Sequence, residues 1–336
     1  MTHEVKILVE LIWNAQKKGV KSVIATVVEL EGSSYRRPGV RMLIQDNGKT
    51  YGAVSGGCVE KEIQIQANSV FRNKIPKVIK YDGRLRLGCE GIIYILIEPV
   101  IITNELNENF KIVFKNRIPF ESVSFYSITE EESEEFGTEF IFSDKIFSLN
   151  KNFSHSKKTK SFQQKFNPLF QLYIFGAEHD TVHLCKAASK LGWQVTIVAP
   201  PDESKTEKYF EGAYKFLTPP YEKIDTNPID SHTAVILMTH SLIKDLKYLL
   251  SLSNVKPAYL GILGPQNRRE NIVEKALDFN PNLSIEFINL IRGPAGLNIG
   301  AESAEEISVS ILAEILSVIR KQKPIHLKEK SGRIHD

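Results

Sequence analysis

Ile174-Phe175-Gly176-Ala177-Glu178-His179-Asp180-Thr181 joins an apolar strand to a helical pattern through one glycine, and this junction decides the fold of the carboxyl half. Leu172 to Phe175 reads as a strand, His179 to Lys190 as a helix, and Gln194 to Ala199 as a second strand. Thr233 to Thr239, Leu242 to Ser251 and Ala258 to Leu263 continue as strand, helix and strand. Strictly alternating elements of this kind form a doubly wound parallel sheet, so a Rossmann-like domain is expected. Its dinucleotide fingerprint is damaged. The second and third glycine positions of G-x-G-x-x-G, which admit the pyrophosphate and close helix packing, are Glu178 and Thr181. The second strand runs into Ala199-Pro200-Pro201 where a ribose-binding acid would stand, and Asp202 comes late. Ordinary NAD binding is therefore not expected.

The same half offers a second anion-binding pattern. Tyr259 to Leu263 leads through Gly264-Pro265 into a helix whose first turn carries Gln266, Arg268 and Arg269. Helix amides plus two guanidiniums suit a phosphate, although two solvated arginines on an amphipathic helix read equally well. His240 ends the Thr233 to Thr239 strand at the same sheet edge, so it is a candidate ligand contact beside its ordinary structural role. Ser303-Ala304-Glu305-Glu306 is a capping box for a last helix with Ile307, Ile311, Ile315 and Val318 as its buried stripe.

Working back toward the amino terminus, Asn150 to Asn167 has the Lys, Ser, Asn and Gln content of a linker. Phe110 to Leu149 reads as short strands around an acidic loop, Glu130 to Glu135. Earlier still, Thr2 to Lys18 is an amphipathic helix built on Val5, Leu8, Ile12 and Ala15, and Ser22 to Val28 is a strand. Val40 to Gln45 and Lys49 to Val54 flank Asp46-Asn47-Gly48, a hairpin signal. Lys77 to Tyr81 and Gly91 to Glu98 complete a mixed α/β domain. The 336 residues thus divide into an α/β domain over 1–102, variable strands and basic linker over 103–168, a Rossmann-like domain over 169–322 and a tail over 323–336.

The amino domain carries the sharpest chemical signal. Cys58 follows Gly52-Ala53-Val54-Ser55-Gly56-Gly57 and opens a helix with Val59, Ile63, Ala67 and Phe71 on one side. A thiol in the first turn of a helix is stabilised as thiolate by the dipole and by free N–H groups. Gly32-Ser33-Ser34-Tyr35-Arg36-Arg37-Pro38-Gly39, with Arg41 inside the next strand, concentrates hydroxyls and guanidiniums that suit an anionic ligand. Cys89 lies in another tight turn, Leu87-Gly88-Cys89-Glu90-Gly91.

Spacing removes several chemistries. Neither cysteine has the C-x₂-C or H-x₃₋₅-H companion of structural zinc, nor the C-x-x-C of a thioredoxin-like pair. A papain-like nucleophile needs a histidine, and the amino domain has only His3. With three cysteines, Cys58, Cys89 and Cys185, a disulfide framework is not expected. A soft thiolate beside anion-binding groups fits a soft transition metal on a phosphorylated ligand. The net charge of +3 gives no general affinity for nucleic acid or membrane, and neither a signal peptide nor a membrane span is read, so a cytoplasmic protein is expected.

Gly32-Ser33-Ser34-Tyr35-Arg36-Arg37-Pro38-Gly39-Val40-Arg41-Met42, Val54-Ser55-Gly56-Gly57-Cys58-Val59-Glu60 and Leu87-Gly88-Cys89 resemble the amino domain of the XdhC/CoxI accessory proteins of molybdenum hydroxylases. Phe175-Gly176-Ala177, Leu191-Gly192-Trp193, Met238-Thr239-His240, Gly261-Ile262-Leu263-Gly264-Pro265 and Gly296-Leu297-Asn298-Ile299-Gly300-Ala301-Glu302 resemble the Rossmann domain of that family. The resemblance implies a non-enzymatic carrier that transiently binds molybdenum cofactor (molybdopterin). It implies support for cofactor sulfuration by a cysteine desulfurase and delivery to a xanthine dehydrogenase-type apoenzyme, with a homo-oligomer expected. It makes Cys58 and Cys89 candidate ligands of the metal or its sulfur. Ser33, Ser34, Arg36, Arg37, Arg41, Ser55, Gly56, Gly57, His179, His240, Arg268 and Arg269 become candidate cofactor contacts. The alternative is an NAD(P)-dependent oxidoreductase using the Rossmann domain.

Overall fold

Strands buried on both faces are almost wholly apolar, and the sequences QLYIF, QVTIV and TAVIL meet that condition in the carboxyl half. The computed structural model describes residues 2–32, 37–55, 57–83, 91–150, 153–154 and 159–331, with Cys58 through its backbone. The chain divides into two units, 1–168 and 169–336. Among the described residues no helix is long and apolar enough to cross a membrane.

The amino unit begins with α1 (Thr2–Lys17), β1 (Ser22–Glu31), β2 (Arg41–Gln45), β3 (Thr50–Gly52), α2 (Cys58–Asn73), β4 (Lys77–Asp82) and β5 (Ile92–Val100). It continues with α3 (Asn104–Asn116), β6 (Phe120–Tyr126), β7 (Glu131–Glu132), β8 (Gly137–Phe142), β9 (Lys145–Ser148) and β10 (Lys160–Phe166). One antiparallel sheet has the order β3-β2-β1-β5-β4-β7, and a second has the order β10-β6-β8-β9. Val23, Ala25 and Val27 of β1 bury one face of the first sheet against Val59, Ile63, Ala67 and Val70 of α2. Each large aliphatic side chain so buried contributes about 1.5–3 kcal/mol. The opposite face meets the second sheet through an apolar cluster of Val28, Val78, Tyr94 and Leu96 with Tyr126 and Phe162, and through polar groups described below.

Two segments differ from the sequence reading. The strands expected from Phe110 onward are preceded by α3, which runs to Asn116. Thr103 caps it through its hydroxyl, and Leu106, Phe110 and Val113 repeat at helical spacing on its buried side. The linker expected over Asn150 to Asn167 contains β10, paired along its whole length with β6. Its inward residues Phe162, Gln164 and Phe166 alternate with exposed Ser161, Gln163 and Lys165, and the polar outer set dominates the composition.

The carboxyl unit contains β11 (Gln171–Phe175), α4 (His179–Lys190), β12 (Gln194–Val198), β13 (Ala213–Leu217), β14 (Thr233–Leu237) and α5 (Leu242–Ser251). Then follow β15 (Tyr259–Ile262), α6 (Gln266–Phe279), α7 (Ile285–Leu290), β16 (Ile291–Arg292) and α8 (Ala304–Arg320). The order β13-β12-β11-β14-β15-β16, all parallel, is the 3-2-1-4-5-6 order of the Rossmann fold. Alternate residues serve opposite faces. Leu172 and Ile174 pack with Leu184, Ala188, Ile311 and Ile315, while Tyr173 and Phe175 pack with Leu246, Leu249, Ile272 and Ala276. The strand order reverses between β11 and β14, and the crevice outside their carboxyl ends is the usual ligand position of such sheets.

Candidate functional site

Glycine is required at the end of β11. Gly176 has φ +134°, and a Cβ there would stand 2.7 Å from the Met238 carbonyl oxygen. The chain can therefore turn beside β14 and enter α4. Glu178 is the N-cap of α4 but its side chain makes no cap hydrogen bond, and the Thr181 hydroxyl is buried without a hydrogen-bond partner among the described residues. Glu178 thus places a side chain at the helix start where a pyrophosphate needs bare backbone, and Thr181 fills the buried position where the third glycine would give close helix packing. Asp202, the late acid after β12, is bound by Lys244 Nζ at 2.8 and 2.9 Å.

Across the strand reversal, His240 takes a left-handed conformation, φ 55°, with its side chain 58% exposed. Its Nε2 lies 3.4 Å from Asp180 Oδ2 in the first turn of α4. The turn is fixed from beneath by Asp245, which is fully buried. Its Oδ1 accepts from the Thr239 N–H at 3.1 Å and the Thr239 hydroxyl at 2.6 Å, and its Oδ2 accepts from Arg268 Nη2 at 2.6 Å. Arg269 donates through Nε to the Ile291 carbonyl at 2.9 Å. Both arginines of the α6 start are therefore engaged inside the unit. The His179 ring meets His183 edge to face at 4.7 Å, and His183 Nδ1 lies 3.1 Å from Glu305 Oε1. Among the described residues no group of three or more His, Cys, Asp or Glu is placed to hold a metal.

In the amino unit, Cys58 is the first residue of α2 and Gly57, φ +134°, is its N-cap. Glycine has no side chain, so the N-cap residue itself offers no acceptor to the first-turn amides of α2. Glu60 holds the entering loop. Its carboxylate accepts from the Ser55 N–H at 2.6 Å, the Ser55 hydroxyl at 3.2 Å and the Gly57 N–H at 2.8 Å. Burial alone would raise the Glu60 carboxyl, but the hydrogen bonds from the Ser55, Glu60 and Gly57 backbone and the Ser55 hydroxyl outweigh it and hold it below its ordinary value. Arg37 is exposed. Ser33, Ser34, Arg36, Gly56, Cys89 and the Cys58 side chain lie outside the described residues.

Arg41 is a buried group, 8% exposed. Its Nη1 donates to the Gly39 carbonyl at 3.0 Å and to Gln164 Oε1 at 2.5 Å, and its Nη2 donates to Ser122 Oγ at 3.1 Å. These bonds join β2 to β6 and β10. Desolvation pushes the guanidinium down to about 10, against the charges of Glu98 and Glu4. Glu98 of β5 is also fully buried and accepts from Thr138 N–H at 2.9 Å and Oγ1 at 2.5 Å. Burial raises its carboxyl to about 7, the Thr138 bonds and Arg41 resisting. A carboxyl raised in the folded state binds its proton more tightly there than in the unfolded chain. Stability from this group is present below the ordinary value of 4.5 and is lost as pH rises through about 7. Glu98→Gln, which can keep both Thr138 contacts, is expected to flatten the fall in stability between these values by about 3 kcal/mol. Urea unfolding at a series of pH values measures this, and an unchanged slope would count against a raised Glu98.

Cys185 differs from Cys58 in kind. It is buried in the α4 core, donates to the Glu211 carbonyl at 3.8 Å, and desolvation pushes its thiol up to about 12. Such a thiol is inert at neutral pH.

Two family models fit this architecture. Residues 172–315 match the XdhC Rossmann domain, and residues 15–82 match the XdhC and CoxI family. The chain belongs to the XdhC/CoxI family. A Bacillus subtilis protein described as a probable xanthine dehydrogenase subunit is 27% identical over 321 residues, covering 90% of this chain and 94% of that protein. The molybdenum cofactor insertion chaperone PaoD of Escherichia coli is 24% identical over 324 residues, covering 95% and 90%. A crystal structure of a Bacillus halodurans protein described as a xanthine dehydrogenase is 26% identical with a TM-score of 0.75, covering 97% of this chain and 98% of that one. The XdhC/CoxI resemblance and the α/β fold class read from the sequence are both borne out. Sequence reading missed Glu60 and Asp245. Glu60 carried a usable signal, an acid at the third helical position after a glycine cap, whereas Asp245 sits inside a helix with nothing local to mark it.

Proposed function

We propose that this XdhC/CoxI protein is a molybdenum cofactor carrier that delivers its cargo to a xanthine dehydrogenase-type apoenzyme. One observation carries the reading. Cys58 opens α2 behind a glycine N-cap, in a loop pinned by Glu60, and PaoD, a molybdenum cofactor insertion chaperone, aligns along nearly the whole chain. A thiolate held there is soft enough to ligate molybdenum or its sulfur and weak enough as one ligand to release it. Cys89 and the arginine loop would complete the grip, with a cysteine desulfurase supplying sulfur to the bound cargo. The oxidoreductase alternative is disfavoured by Glu178 at the pyrophosphate position, by Thr181 at the helix-packing glycine position and by the engagement of Asp202 with Lys244.

The test is to purify the protein from molybdate-replete cells and measure molybdenum together with pterin fluorescence after acid oxidation. Both are expected in near-equal amounts. Absence of both, also after incubation with free cofactor, would overturn the carrier reading. Saturable NAD(P) binding by calorimetry would favour the oxidoreductase instead.

A further inference from the structure

One face of the first sheet is covered only in part. α2 lies over β1 and β5, with Val59, Ile63 and Ala67 packed among Ala25, Val27, Ile95 and Ile97. Toward the β3 edge the bulk runs out. Met42 and Ile44 of β2 belong to the same face, and the residues directly opposite them on β3 are Gly52 and Thr50. Directly opposite residues of an antiparallel pair share a face, so beside α2 the edge strand raises only a threonine and a bare glycine. The step so formed is an open groove of about 960 Å³ between the β2–β3 hairpin and the flank of α2.

The groove is apolar at its middle and cationic toward both ends of α2. Ile65 lines it with 63% of its surface exposed, beside the partly buried Phe71 and the buried Ile44. Lys61 and Arg72 also line it, both exposed. Eleven residues separate them, three helical turns, which sets them on one side of α2 about 16 Å apart. Neither forms an ion pair among the described residues, and Asp46, the only acid lining the groove among them, pairs with neither. An exposed aliphatic side chain between two unneutralised cations suits a ligand that is apolar in the middle and acidic at its ends. A second copy of this chain does not fit. Antiparallel pairing of the two faces about Ile65 and Asn68 would set Lys61 against the copy's Arg72, and parallel pairing would set each cation against itself. A sheet face left open beside one helix is completed by another helix, packed about 8–10 Å from the first.

We propose that this groove docks an acidic amphipathic helix of a partner protein, its apolar stripe on Ile44, Ile65 and Phe71 and its carboxylates on Lys61 and Arg72. Lys61 lies one turn after Cys58, so the docked helix reaches the end of α2 that carries the thiol. The inference goes beyond the carrier reading and stands without it.

The probes are two labelled, alanine-rich helical peptides of about 18 residues, each with a leucine stripe at helical spacing. One carries glutamates eleven residues apart on the flank of the stripe, and the other carries lysines at the same places. Each is titrated with the full chain and followed by fluorescence anisotropy. The acidic peptide is expected to saturate the protein, and the basic one to bind at least tenfold more weakly. The double variant Lys61→Glu with Arg72→Glu is expected to reverse that order. Both residues are exposed, so the exchange leaves the core of the unit alone. Ile65→Asp is expected to weaken the acidic peptide about tenfold. No binding of either peptide, equal binding of both, or an order that the double variant does not reverse overturns the proposal. An acidic peptide with a central proline that binds as tightly as the intact helix overturns the helical occupant in favour of an extended one. A dimer in sedimentation velocity that Ile65→Asp converts to monomer assigns the face to a second copy and overturns the proposal as well.

Discussion

Asp245→Ala is expected to destabilise the carboxyl unit by about 3–5 kcal/mol. The carboxylate is fully buried and ties three elements together, the end of β14 through Thr239, its own helix α5, and α6 through Arg268. Alanine removes both acceptor oxygens at once. The Thr239 N–H and hydroxyl lose their partner, and the Arg268 guanidinium, 18% exposed, is left as a poorly solvated cation. An unsatisfied buried donor costs about 1–3 kcal/mol and an unpaired buried charge costs more. Asp245→Asn keeps an oxygen toward Thr239 but loses the charge opposite Arg268, so a smaller loss, about 1.5–3 kcal/mol, is expected. Urea unfolding followed by Trp193 fluorescence in a Trp13→Phe background reports on this unit. A loss below about 1 kcal/mol for the alanine variant would mean that water replaces the carboxylate at little cost.

The same knot explains what is and is not legible in the sequence. β11, β12, β14 and β15 are readable because a strand covered on both faces must be apolar throughout, and each is bounded by turn residues. β13 escapes notice because it is an edge strand, with Tyr214, Lys215 and Leu217 exposed, and its outer residues obey solvent instead of a core. α3 and β10 mislead for opposite reasons: aromatic density in the helix imitates strand composition, and lysine and glutamine on the strand imitate a linker. The start of α2 is legible from a local glycine run. Arg41 is visible as a charge in a strand, but its partners Ser122 and Gln164 are 81 and 123 residues away, so no spacing rule exposes them. Arg268 and Arg269 read as open anion donors because helix-start arginines usually are, and their engagement by Asp245 and Ile291 depends on tertiary packing alone.

Cys58→Ala is expected to abolish molybdenum loading, at least a tenfold drop in bound metal, with the fold intact. The two outcomes separate because of where the residue lies. Alanine is the best helix former, so α2 keeps its first turn, and the loop that enters it is held by Glu60 through Ser55 and Gly57, none of which involves the thiol. The thiolate, by contrast, has no substitute, because alanine supplies no anion at residue 58 for the field of the helix start to stabilise and Gly57 supplies no side chain in its place. Cys185→Ala is the matched control. Its thiol is buried and held far from ionisation, so loading should be unchanged although the core loses a packed sulfur. Elemental analysis of both variants purified beside the unaltered protein decides the matter. Equal molybdenum in the Cys58 variant would remove that thiol from the site and shift the ligand role to Cys89. A loss in both variants would instead point to a folding defect, which far-ultraviolet circular dichroism of the same samples would reveal.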